Sequence, residues 1–127
     1  MIKEDYVSFE TAKLLKEKGF NEPCRKIYFT NGDLTDADAS YLCEITNSCM
    51  PGFRQNGLCT SPTQQMVMKW LREVHGLFIR ITEDITGSVF EWSIYQKNYG
   101  CRMSTCVEDS YEQACEAAIK HCLEHLT

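Results

Sequence analysis

Ser61-Pro-Thr-Gln-Gln-Met-Val-Met-Lys-Trp-Leu-Arg-Glu-Val-His-Gly-Leu-Phe-Ile-Arg-Ile-Thr82 changes its hydrophobic period part-way along, and that change decides the fold. Before Gly76 the period is helical. Ser61 is placed to cap a helix, Pro62 takes the position where a missing N–H costs nothing, and Gln64 completes a capping box. Met66, Val67, Trp70, Leu71 and Val74 fall on one stripe, and Gln65, Met68, Lys69 and Arg72 fall on the other side. After Gly76 the period is two. Leu77, Ile79 and Ile81 alternate, as do Phe90, Trp92 and Ile94, so residues 77–82 and 89–96 read as a hairpin around Glu83–Gly87 with one apolar face to cover.

The flanking sequence supplies the covers. Residues 8–18 read as a helix with Ser8 as cap, Glu10 in the first turn and Gly19 as the stop. Phe9, Ala12 and Leu15 share its apolar face. Residues 111–126 read as another, with Ser110 and Gln113 as a capping box and Tyr111, Cys115, Ala118, Ile119, Cys122 and Leu126 on one face. Residues 25–30 suit a strand, and Asn31-Gly32 after it is a strong hairpin signal. Residues 41–46 and 100–105 are further strand candidates. Residues 47–60, broken by Pro51, Gly52, Asn56 and Gly57, read as irregular. The expectation is one α+β domain over 1–127: three amphipathic helices on a mostly antiparallel sheet, in two layers that share a core containing Trp70 and Trp92.

Bulk composition excludes several functions. The chain has 127 residues, 43% of them hydrophobic and 24% charged, which is globular composition with enough length to bury a core unaided. Its net charge of −5 argues against a general nucleic-acid binder. Residues 69–95 have the helix-then-hairpin order of a recognition helix and wing, but no partner helix precedes them closely and the outward face carries only Lys69 and Arg72. No segment has the length of a signal-peptide core or a membrane span, so a cytoplasmic location without membrane association is expected.

The eight cysteines pose the sharpest chemical question, because Cys43, Cys49 and Cys59 crowd into seventeen residues. Zinc sites use four ligands, commonly in knuckles two to four residues apart. The gaps here are Cys43-x5-Cys49, Cys49-x9-Cys59 and Cys101-x4-Cys106, so a metal module would have to assemble in space from Cys43, Cys49, Cys59 and either Cys101 or Cys106. A reducing compartment disfavours lasting disulfides. A cysteine nucleophile needs a base within hydrogen-bond reach, and His121 and Cys122 point about 100° apart on a helix. The remaining reading is that thiols such as Cys43 pack as small apolar groups. Glu83-Asp84 and Glu108-Asp109 read as solvated loop charge, and neither GxGxxG nor a P-loop is present. No catalytic residue, metal or cofactor is therefore assigned. The aromatics Tyr6, Tyr28, Phe53, Phe78, Tyr95 and Tyr99 exceed what one small core needs, which favours a protein-binding or self-associating module.

Three blocks, residues 6–20, 61–81 and 110–126, resemble a family of small uncharacterised proteins encoded in prophages and mobile elements of Bacteroides-type gut bacteria. They cover roughly half the chain and omit the cysteine-rich segment. The resemblance implies a mobile-element accessory protein of the bacterial cytosol. It carries no catalytic or binding residue over to this chain.

Overall fold

The computed structural model describes residues 2–36, 44–52 and 57–127. The protein is α+β, with three α-helices and two antiparallel three-stranded sheets among the described residues. The strands expected to form one sheet thus form two, and the chain divides into two compact units, Met1–Thr63 and Gln64–Thr127.

In the first unit, helix α1 (Phe9–Glu17) starts at Ser8, whose hydroxyl accepts from the Thr11 amide at 3.2 Å. It stops as a Schellman motif. Gly19 has φ +86°, its amide donates to the Lys16 carbonyl, and the Phe20 amide donates to the Leu15 carbonyl. Leu15 and Phe20 are both buried there. Strand β1 (Lys26–Phe29) is the centre of a sheet, with β2 (Leu34–Asp36) on one side and β3 (Gly57–Thr60) on the other.

The β1–β2 turn is a three-residue loop, not the two-residue turn that Asn31-Gly32 signals. Phe29 pairs with Asp33, only Gly32 takes positive φ, and the Asn31 side chain accepts from the Asp33 amide. Strand β2 follows the turn at once. Of the strand expected over 41–46, residues 41–43 lie outside the described residues and Ile45 makes a single bridge to Cys24. The segment 47–60, read as irregular, contains a 3₁₀ turn at Asn47–Gly52 and the edge strand β3.

In the second unit, helix α2 (Gln64–His75) begins two residues later than the Ser61-Pro62 signal placed it. Ser61 and Thr63 instead extend the backbone pairing of the first unit, with the Ser61 amide donating to the Lys26 carbonyl and Thr63 bridging Tyr6. The Ser61 hydroxyl is buried with no partner among the described residues, so it caps nothing. Gln64 also has another role. Its amide donates to the Glu112 carbonyl at 3.1 Å and ties α2 to the following helix.

Strands β4 (Leu77–Glu83), β5 (Phe90–Gln96) and β6 (Gly100–Glu108) form a meander. Helix α3 (Tyr111–His121) lies over all three strands, and α2 packs on β4 and α3. Ser110 caps α3 by accepting from the Gln113 amide at 3.1 Å, a contact typically worth about 1 kcal/mol. The helix ends in a π-type turn, Cys122–Leu126. Leu77, Trp92 and Ile94 are buried beneath α2 and α3 together with Val67, Leu71, Ala118 and Ile119, and the edge-on ring pair Phe90–Tyr111 closes one end. This unit is the two-layer arrangement that the hairpin's apolar face called for.

Candidate functional site

Each described cysteine is placed by its own unit. Cys43 lies outside the described residues. In the first unit Cys49 is exposed on the 3₁₀ turn, while Cys59 is buried on β3. In the second, Cys101 and Cys106 project from opposite faces of β6, because Cys101 stands opposite Tyr95 and Cys106 opposite Trp92. Two thiols on opposite faces of one strand cannot share an ion. Among the described residues, no group of three or more His, Cys, Asp or Glu side chains is placed to hold a metal, and every cysteine is a free thiol.

Burial sets thiol chemistry. It pushes Cys24 and Cys59 up to about 11 and Cys122 up to about 12. These groups stay protonated and inert near neutrality. Native protein treated with iodoacetamide at pH 8 should therefore be modified at the exposed Cys49 and Cys101 and spared at Cys24, Cys59, Cys115 and Cys122. Peptide mass spectrometry checks this, and Cys122 reacting as fast as Cys101 would contradict it.

Asp84 at the hairpin turn is structural. Asp84 accepts from the Thr86 hydroxyl at 2.8 Å and from the Ser88 and Val89 amides at 2.9 and 3.3 Å. The Thr86 hydroxyl, supported by those amides, holds its carboxyl below the usual range. A carboxylate engaged in closing its own turn is not poised as an acid or base.

Two surfaces of the second unit remain. The first is the sheet face turned away from α3. Antiparallel register lines up Phe78, Tyr95 and Cys101 across β4, β5 and β6, with Thr82, Glu91 and Val107 as a parallel row. Phe78 is 45% exposed and Val107 54%. Arg80 lies 4.9 Å from the centre of the Tyr95 ring. At the β5–β6 turn Tyr99 is 74% exposed, with Arg102 5.5 Å from its ring centre. Tyr28, grouped with these aromatics on sequence, belongs to the core of the first unit, where its hydroxyl donates to the Val7 carbonyl at 2.6 Å. Tyr6 is half-buried in the same unit, beneath Lys26. Phe53 lies outside the described residues.

The second surface is an open groove of about 350 Å³ where the end of α3 meets β5 and β6. Trp92 and Met103 form its apolar wall, while Lys120, His121, Glu124 and His125 form the polar one. Burial, and then the neighbouring His125, keeps His121 below the usual imidazole range. Sequence reading passed over this pair, although the i, i+4 spacing of His121 and His125 on a helix was the signal available. Comparison with protein-family models, with curated proteins and with solved structures returns no match. No helix among the described residues is long and apolar enough to cross a membrane.

Proposed function

We propose that the chain is a non-enzymatic cytosolic accessory protein of a bacterial mobile element, and that it binds another protein through the outer face of the β4–β5–β6 sheet. The observation that carries this reading is the row of exposed Phe78, half-buried Tyr95 and exposed Cys101, with Arg80 over the Tyr95 ring. Aromatic residues and arginine are the types enriched where protein interfaces concentrate their binding energy. A rigid sheet also presents them without an ordering cost on binding. The mobile-element context rests on the three resembling blocks, one of which, residues 61–81, includes Phe78.

The test is affinity capture from the native host with wild-type protein and with Phe78→Asp, alongside light scattering to detect self-association. Phe78 is nearly half exposed, so the substitution should leave the thermal melt close to wild type while weakening binding about thirtyfold or more, as loss of a central anchor does. Bound partner should also shield Cys101 from alkylation. A partner retained at full affinity by Phe78→Asp, with Cys101 as reactive as before, would refute the reading. Light scattering decides whether the partner is a second copy.

A further inference from the structure

The groove at the end of α3 holds two imidazoles on one wall. His121 is the last residue of the regular helix and His125 lies in the π-type turn that follows. Short π segments within helices recur at functional sites, because they shift which side chains face one another. Here the ring centres of His121 and His125 stand 4.7 Å apart with an interplanar angle of 45°.

That separation has a chemical meaning. Two imidazoles holding one ion through nitrogens at about 2.1 Å, at octahedral or tetrahedral angles, set their ring centres roughly 4.5–5.2 Å apart. The pair already falls in this range. His125 is exposed and His121 half-exposed, and both line the open groove, so an ion could reach them with water on its remaining positions. Glu124 lines the same groove. Lys120 is the opposing feature, a cation on the same wall.

We propose that His121 and His125 form a two-imidazole site for a borderline divalent transition-metal ion of the zinc, nickel and copper class, with solvent or a partner's side chain completing the coordination. Imidazole ligation selects that class over magnesium and calcium, which prefer oxygen. The site is separate from the cysteine set considered on sequence and does not depend on the partner-binding face.

The Trp92 ring centre lies 5.8 Å from that of His121, so it reports on the site directly. Titration of the full chain with Ni²⁺, whose open d shell quenches indole emission, should give a saturable loss of fluorescence, with no response to Mg²⁺. Trp70, the other tryptophan, meets His75 edge-on with ring centres 4.8 Å apart, so His75→Asn is the control and should keep the response. His121→Asn and His125→Asn should each raise the Ni²⁺ midpoint about tenfold or more, in line with the loss of a ligand interaction. Circular dichroism melts confirm that each variant is folded. Because His125 is exposed, His125→Asn tests the site even if His121→Asn unfolds. No saturable quench up to millimolar Ni²⁺, or an unchanged midpoint in His125→Asn, would overturn the proposal.

Discussion

Trp70→Ala should destabilise the second unit by about 3–5 kcal/mol, the usual cost of truncating a buried aromatic side chain to alanine. Trp70 sits mid-way along α2 and is only 7% exposed, with Val67 and Leu71 fully buried beside it. Its ring meets His75 edge-on at 4.8 Å, so truncation also removes the packing that fixes the last turn of α2 before Gly76 reverses the chain. Domains of this size are stable by only about 5–15 kcal/mol, so the loss is a large share of the total. A melt monitored by far-ultraviolet circular dichroism should shift down by roughly 10 °C or more. An unchanged melting temperature would mean that α2 is not sealed against β4 and α3, and the two-layer account of this unit would fail. Trp92, 6% exposed in the facing sheet, should be similarly intolerant of alanine.

The second unit was largely legible in the sequence, and the reasons are local. The helix cap at Ser110 acts within three residues, and the alternation along β4 and β5 is continuous over seven residues each. The errors arise where a distant partner decides. The buried arc of α2 runs through Gln64, Val67, Met68, Trp70 and Leu71, while Met66 and Val74 are exposed. At 100° per residue this arc is turned roughly 60° from the stripe that apolar residues alone define. Met68, read as outward-facing, is buried at one edge of this arc, and Gln64 is buried beside it with its amide on the Glu112 carbonyl of α3. At the end of α3 the π-type turn changes the phase again, burying Leu123 next to Cys122 and leaving Leu126 half-exposed. Strand β3 was missed for a related reason. Gly57-Leu-Cys-Thr60 is short and lacks alternation, and its partner β1 lies thirty residues away, Phe29 pairing with Gly57 and Ile27 with Thr60. As for the candidate sites, the aromatic excess pointed to Phe78 and Tyr95. Cysteine spacing pointed to Cys101 and Cys106, which stand on opposite faces of β6.

Asn47→Ala should cost the first unit about 2–4 kcal/mol, through two buried backbone groups left without partners. Asn47 is buried in the stretch that carries no periodic signal. Its side-chain amide donates to the Phe20 carbonyl at 2.8 Å, and its side-chain oxygen accepts from the Thr60 amide at 2.9 Å. Among the described residues β3 is an edge of its sheet, and Asn47 takes the Thr60 amide on the side away from β1. One side chain therefore joins the end of α1 to the edge strand across the intervening loop. Asn47→Asp keeps an acceptor for Thr60 but removes the donor for Phe20 and adds a buried charge, so it should be no better tolerated. Asn47→Ser, too short to span both groups, should not rescue. Hydrogen exchange gives the local readout: the Thr60 amide should exchange far faster in Asn47→Ala, while the Ile94 amide in the second unit keeps its protection. Unchanged protection at Thr60 would show that β3 is held by β1 alone and that Asn47 is incidental to the edge it covers.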